Sequence, residues 1–194
     1  MYLFTRSLKA GRHRVEAACE RLGHQFPALM RHAIILAVPV PGILQRLDGR
    51  LGAYAMCLNH WLRFLPVPVI LLNAEWFTDE ENLRHRYVHD VKTGYHPDCS
   101  CPARYIVAHE AGHFIYTRLN WKERERWERI FEAGKPSGYS TTPEESFCEA
   151  FAGGIACLEG PYFKLAAALA RGHRTKVEIT TSNGRRSAQP PTRL

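Results

Sequence analysis

The clearest helix signal in the sequence covers residues 102–119 and contains the stretch YIVAHEAGHFIY. Proline suits the first position of a helix, so Pro102 marks its start. The small residues Ala111 and Gly112 would let this helix pack closely against its neighbours. The chain is therefore expected to fold around a closely packed helix that carries two histidines and a glutamate.

These three residues are His109, Glu110 and His113, in the spacing H-E-x-x-H. Residues four apart lie on one face of a helix, so both imidazoles can point at one metal ion. Two such ligands begin a tetrahedral zinc site, and Glu110 can reach a water molecule at the metal. Zinc lowers the pKa of such a water toward about 7, and a carboxylate can take its proton during attack on a carbonyl. The alternative is a chance match, because the chain contains ten histidines.

A catalytic zinc ion needs a third protein ligand and an open position for water. The downstream stretch TTPEESFCEAFAGG predicts a second helix, on which Glu145 and Glu149 share a face and Glu144 points about one helical step away. The shared face also carries Cys148 and Ala152, which indicates that it turns inward. Burying two unpaired carboxylates is costly. An inward face therefore indicates that one of them binds a metal ion and the other accepts a hydrogen bond from an imidazole N–H.

Each of these glutamates has an alternative role. Thr142 and Glu145 fit a helix capping box, in which the glutamate folds back on the helix start. Thr141 with Glu144 offers the same box one residue earlier and would leave Glu145 available to the metal. Glu149 is either a solvated helix residue or itself the third ligand. The sequence favours Glu145 as the ligand and leaves Glu149 as the competing choice.

The segments HEAGH and GYSTTPEESFCEAFA together resemble the Glu-zincin metallopeptidases, especially the lethal-factor-type zincin domains of phages and toxins. The second segment is also similar to an element of the ImmA/IrrE-type peptidases. The resemblance implies a zinc ion held by His109, His113 and Glu145. It further implies that Glu149 supports a ligand histidine and that Tyr139 stabilises the oxyanion formed during hydrolysis.

The same resemblance implies an α+β, zincin-like fold with a small twisted sheet, an active-site helix at 102–119 and a glutamate-bearing helix at 143–160. The β-prone segments 52–58 and 67–73 are expected to be neighbouring strands. In zincins an edge strand pairs with an extended substrate, and 67–73 (VPVILLN) is the candidate for that edge.

The rest of the chain divides into recognisable segments. Residues 1–30 predict a basic N-terminal helical segment, residues 31–171 the metallopeptidase domain, and residues 172–194 a disordered polar tail. Within the domain, further helices are expected at 78–91, 120–133 and 161–171. The apolar side of the N-terminal helix is formed by Leu8, Val15, Cys19 and Leu22.

The loop HPDCSCP brings His96, Cys99 and Cys101 close together in sequence. With His89 they offer an alternative, structural zinc site, and one of the thiols offers an inhibitory ligand for the catalytic metal. The favoured interpretation is simpler, with these residues flanking the active-site helix in a loop. Cys148 is expected to be a core residue.

The composition limits partners and location. The net charge is +7 and the pI about 9.3, but the basic residues are scattered, so nucleic-acid binding is only weakly supported. The longest apolar run, residues 33–44, is too short to span a membrane. Six cysteines and no visible secretory signal favour the cytoplasm, or export by a route without a signal peptide. Nothing in the sequence indicates an oligomeric state.

The sequence thus predicts a zinc-dependent endopeptidase that acts on a protein or peptide substrate. The alternative is a zincin-like regulatory or mobile-element protein that binds DNA or a protein partner with little or no proteolysis.

Overall fold

The computed structural model describes residues 1–38, 53–60, 62, 64–156 and 158–171. Within these ranges the chain is mixed α+β, mostly helical with one four-stranded sheet, which confirms the expected α+β class. The strands are β1 (Tyr2–Phe4), β2 (Ile34–Val38), β3 (Ala55–Cys57) and β4 (Val69–Asn73). The helices are α1 (Arg12–Gln25), α2 (Pro27–Met30), α3 (Ala74–Thr78), α4 (Glu80–Lys92), α5 (Pro102–Arg118), α6 (Trp121–Ala133), α7 (Pro143–Ile155) and α8 (161–171).

The sheet has the strand order β1-β2-β4-β3. Strand β2 runs parallel to β1 and β4, whereas β3 runs antiparallel to β4 and pairs Ala55 with Leu72. The expected pairing of 52–58 with 67–73 is therefore confirmed. The expectation that 67–73 forms the sheet edge is wrong, because β4 lies between β2 and β3. All five residues of β4 are buried, as a continuous apolar run in an inner strand should be.

The N-terminal segment differs from the helix expected over 1–30. Residues Tyr2–Phe4 form β1, which pairs in parallel with residues 34–36 of β2. Aromatic and branched residues favour this extended pairing over a helix. Strand β2 lies within the apolar run of residues 33–44, which was predicted only to be too short to span a membrane. The apolar side of the N-terminal segment is buried as expected, through Leu8, Val15, Cys19 and Leu22.

Helix α5 lies in the core, with every residue from Tyr105 to Tyr116 buried. Its closest partner is α7, and Gly112 lies at their contact. A Cβ atom at Gly112 would lie 3.0 Å from Cα of Cys148 and 3.2 Å from its sulfur. The expected close packing at the small residues Ala111 and Gly112 is therefore confirmed, and it places α7 directly against the face that carries the histidines.

The remaining helices match their expected positions, apart from their boundaries. The segment expected at 78–91 forms α4, which begins at Glu80 because Asp79 is extended and its side chain caps the helix; the short helix α3 before it was not predicted. Helix α6 begins with a capping box of Asn120 and Glu123. Helix α7 ends at Ile155, before the expected limit of residue 160, and the expected disordered tail at 172–194 lies outside the described residues. In the described part of the chain, no helix has the length and apolarity needed to cross a bilayer.

Candidate metal centre

The two histidines of α5 and one glutamate of α7 converge on one point. His109 and His113 are 5% and 7% exposed, and their ring centroids lie 5.2 Å apart. Atom Nε2 of His109 lies 3.2 Å from Oε2 of Glu145, and Nε2 of His113 lies 3.6 Å from the same oxygen. The close packing of α5 against α7 at Gly112 makes this convergence possible.

Glu145 reaches the histidines because its backbone and its side chain have separate roles. Its backbone N–H donates to the hydroxyl of Thr142, 3.1 Å away, so Thr142 caps α7 and the expected alternative cap, Thr141, does not. The Glu145 carboxylate points at the imidazoles of His109 and His113. Capping and metal ligation are therefore not competing uses of this residue.

The distance from the Glu145 carboxylate to each imidazole is close to that between two ligands of one zinc ion. Zinc binds imidazole nitrogen at about 2.0–2.1 Å and carboxylate oxygen at about 2.0–2.2 Å, so tetrahedral ligand atoms lie about 3.3–3.5 Å apart. The separations of 3.2 and 3.6 Å from Glu145 to the two histidines bracket this range. Two imidazoles and one carboxylate are also a donor set typical of catalytic zinc.

A second carboxylate faces the far side of each imidazole. Oε1 of Glu149 lies 3.0 Å from Nδ1 of His109, and Oε1 of Glu144 lies 2.9 Å from Nδ1 of His113. Glu149 lies beside His109, one of the two candidate metal ligands, as the resemblance implied. The expectation that Glu144 points away from the site is wrong, because in the first turn of α7 both neighbouring carboxylates reach α5. Such partners orient metal-binding imidazoles and increase their basicity.

Glu149 is the centre of a buried polar network. Its side chain is fully buried, and His96 Nδ1 lies 3.2 Å from Oε1, while the Ser137 hydroxyl donates to Oε2 over 2.6 Å. Burial alone would raise the Glu149 pKa, but hydrogen bonds from His109 and His96 outweigh it and lower the pKa to about 2. Sequence reasoning missed the role of His96, since the residue lies 53 positions before Glu149.

Glu110 follows His109 on α5 and is 7% exposed. Burial raises the pKa of its carboxyl, while the neighbouring imidazoles of His109 and His113 and a hydrogen bond from the Cys57 backbone act in the opposite direction. A raised pKa makes a carboxylate a better proton acceptor. Glu110 thus lies next to the two histidines and close to the backbone of strand β3.

Cys148 offers a second potential donor set. Its sulfur and nitrogen atoms of His109 and His113 all lie within 4.8 Å of one another. The thiol is fully buried, as the core interpretation predicted, and its pKa is raised well above the usual value by burial and by the nearby Glu145, Glu144 and Glu110. From the sequence, Cys148 was predicted only as a core residue, because the face of α7 that packs in the core is the same face that approaches the histidines.

A cavity of about 260 Å³ opens beside these residues. Glu110 and His109 line it, together with Tyr54 and Ala55 of the β3 region. Tyr139, the residue predicted to stabilise an oxyanion, also lines it, with its ring centroid 5.4 Å from that of His109. The cavity is therefore bordered both by His109, a candidate metal ligand, and by the β3 region.

Two backbone hydrogen bonds position Tyr139. Gly138 N–H donates to the carbonyl of Gly94 over 2.8 Å, and Tyr139 N–H donates to the carbonyl of Tyr95 over 3.0 Å. Gly94 has a φ of +72°, a conformation that glycine adopts without strain. The loop after α4 thus holds both His96 and Tyr139 against the cavity.

The alternative zinc site in the loop HPDCSCP is not formed. Among the described residues, His96, Cys99 and Cys101 do not belong to a group of side chains close enough together to hold a metal. His96 is directed at Glu149, and the sulfur of Cys99 accepts a hydrogen bond from the Cys101 backbone over 3.4 Å. The loop therefore flanks α5, as the favoured interpretation predicted.

Comparison of the chain with protein-family models, curated proteins and solved structures found no match.

Proposed function

We propose that the chain is a zinc-dependent endopeptidase of zincin-like fold that hydrolyses peptide bonds in a protein or peptide substrate. The observation that carries the proposal is the convergence of His109 and His113 on one carboxylate oxygen of Glu145, at 3.2 and 3.6 Å. The adjacent Glu110 and the cavity that opens beside it supply the other requirements of hydrolysis, which are a proton acceptor and room for substrate.

His109, His113 and Glu145 would hold the zinc ion. When bound, zinc would supply Lewis-acid polarisation of a substrate carbonyl and lower the pKa of water near it. Glu149 and Glu144 hold the two imidazoles in orientation from the opposite ring nitrogens. Cys148 is assigned to the core behind the site, because its thiol is fully buried and its pKa is raised well above the usual value, which opposes formation of the thiolate that binds metal.

Glu110 is the general base. It accepts the proton of the attacking water and later transfers that proton to the leaving amine, so the carboxylate is regenerated at the end of each cycle. Its burial favours this role, because a carboxyl with a raised pKa accepts a proton more readily. Tyr139, in the cavity wall, donates a hydrogen bond to the oxyanion of the tetrahedral intermediate.

An extended substrate is proposed to pair with β3. In the described part of the sheet, β3 has a neighbouring strand on its β4 side and lies outermost in the strand order. Its start lines the cavity through Tyr54 and Ala55, next to Glu110. Addition of a peptide strand to a sheet edge would align a backbone carbonyl with the site.

Metal analysis of the purified chain is the first test. We expect one zinc ion per chain, lost in His109→Ala and retained in the matched control His85→Ala, since His85 is exposed on α4 and remote from the site. Zinc that is absent from the wild type, or undiminished in His109→Ala, would overturn the proposal.

The second test separates metal binding from hydrolysis. We expect Glu110→Gln to retain zinc and to lose at least about 100-fold of its activity on an unfolded protein substrate, because the proton acceptor is removed. Full activity in Glu110→Gln would exclude Glu110 as the base. Zinc binding without any hydrolysis in the wild type would favour the alternative of a zincin-like protein with a binding function.

A further inference from the structure

The lining of the cavity includes a charged pair that the proposed hydrolysis does not use. Arg86 and Asp90 lie one turn apart on α4, and both line the cavity that reaches Glu110 and His109. Nε of Arg86 lies 3.6 Å from Oδ1 of Asp90. The pair therefore lies within the space that a substrate residue next to the cleaved bond would enter.

Asp90 is buried and contacts several polar side chains. Its side chain is 7% exposed, and its Oδ2 accepts a hydrogen bond from the Tyr54 hydroxyl over 2.6 Å. Oδ1 faces Arg86 and also lies 3.5 Å from Nδ1 of His89. Burial and the hydrogen bond to Asp90 raise the pKa of Tyr54, so its hydroxyl remains a donor. Asp90 is also in the last turn of α4, where the helix dipole disfavours an anion, so these partners are needed.

Arg86 has the opposite character. Its side chain is 48% exposed, its Nε approaches Asp90, and its guanidinium also acts on the Tyr54 hydroxyl. A guanidinium carries five N–H donors in a fixed planar fork, which matches a carboxylate in a two-point contact. In this cavity Arg86 is therefore exposed and Asp90 is buried, and the contact with Asp90 holds Arg86 in place.

The shape of the cavity limits what can reach Arg86. Its volume of about 260 Å³ is below the usual range of about 300–1,000 Å³ for small-molecule sites, so it suits one side chain or one chain end. Tyr54, Tyr95, Tyr105 and Tyr139 give it aromatic walls. A group with an apolar stem and an acidic head fits such a space.

From this arrangement we propose that the cavity is a subsite for a carboxylate of the peptide substrate, with Arg86 as its binding group and Asp90 and Tyr54 as positioning residues. The carboxylate comes from a glutamate or aspartate side chain or from the substrate's C-terminus. This assignment rests on the proposed peptidase function, which makes the ligand a peptide substrate. Binding of the carboxylate is nevertheless measurable without hydrolysis.

The experiment measures binding of small probes to the full chain by NMR chemical-shift titration, as purified and after chelator treatment. The probes are the α-amides of N-acetyl-glutamate, N-acetyl-glutamine and N-acetyl-lysine. A second pair, N-acetyl-alanyl-alanine as the free acid and as the amide, reports on a C-terminal carboxylate. Comparison with and without chelator separates binding at Arg86 from binding to a metal.

We expect a free carboxylate to bind roughly tenfold more tightly than its neutral amide counterpart, since charge-assisted hydrogen bonds are the stronger class. A preference confined to the glutamate probe identifies a side-chain subsite, and one confined to the alanyl-alanine acid identifies a chain-end subsite. The preference should disappear in Arg86→Gln and persist in Arg84→Gln, a matched control because Arg84 lies on the same helix but does not line this cavity.

Any of three results would overturn the proposal. These are equal binding of acidic and neutral probes, no binding of either acidic probe, and tightest binding of the lysine probe. The last result would make Asp90 the recognition group instead. Should Arg86→Gln fail to fold, as thermal unfolding would show, Arg86→Lys keeps the charge without the planar fork and should lose part of the preference. The two proposals can fail independently. Carboxylate binding at Arg86 can be observed even if the chain lacks zinc or hydrolyses no peptide, and hydrolysis can be observed even if Arg86 binds no carboxylate.

Discussion

The carboxylate of Glu149 lies 3.0 Å from Nδ1 of His109, while the other ring nitrogen of that histidine points at Glu145. The imidazole is thus held between two carboxylates, one on the proposed metal side and one behind it. Burial alone would lower the pKa of His109, but the two glutamates outweigh it and raise that pKa well above its usual value. The orientation of the ring therefore depends on α7, although the ring belongs to α5.

Glu149→Gln is predicted to weaken zinc binding by about 10- to 100-fold, because the amide cannot supply the negative charge that increases imidazole basicity. Competition with a chelator of known affinity measures the change. Glu132→Gln, at an exposed position of α6, is the control and should leave the affinity unaltered. An unchanged affinity in Glu149→Gln would mean that the carboxylate has only a packing role.

The identity of the third ligand is predicted to be Glu145 rather than Cys148. Cobalt substituted for zinc should show no sulfur-to-metal charge-transfer band in the near-ultraviolet, since no thiolate would be bound. Cys148→Ala should retain the metal, and Glu145→Ala should lose it. A charge-transfer band that vanishes in Cys148→Ala would transfer the ligand role to the thiol.

Gly112→Ala is predicted to destabilise the fold. The added Cβ would lie 3.0 Å from Cα of Cys148, a backbone atom of a packed helix that cannot move without cost. Overpacking of this kind costs about 1–3 kcal/mol, which exceeds the gain of up to about 1 kcal/mol from alanine in a helix. Urea unfolding measures the net loss.

Gly23→Ala is the matched control for that variant. Gly23 also lies within a helix, and its added Cβ would meet only Cβ of Met30 at 3.9 Å, an ordinary contact. This variant should be neutral or more stable by up to about 1 kcal/mol. Similar stability of both alanine variants would show that α5 and α7 can separate at Gly112 without penalty.

Tyr54→Phe is predicted to lower the free energy of unfolding by about 1–3 kcal/mol, because the buried Asp90 carboxylate loses its 2.6 Å hydrogen bond. Thermal and urea unfolding measure the effect. Tyr2→Phe is the control, since Tyr2 is 58% exposed and its hydroxyl has access to water. Equal stability of the two variants would imply that water replaces the Tyr54 hydroxyl at Asp90.

The spacing of residues along single helices was readable from the sequence. His109 and His113, four apart, share a face of α5, and Glu145 and Glu149 share a face of α7, because the helical period is the same wherever a helix forms. Pro102 marked the start of α5 for an equally local reason, its fixed φ angle. Thr141 and Thr142 were both candidate caps of α7, and the structure shows that Thr142 is the cap.

The contacts between elements were decided only by the tertiary structure. The sequence could not place His96 beside Glu149, turn Glu144 toward His113, or identify β3 as the edge of the sheet. These relationships depend on how α5 packs on α7 and on the order of the strands, and many remote residues determine both together. The sequence by itself therefore determined which side chains share a face, whereas the packing of α7, β3 and the loop after α4 against α5 decided which of them meet.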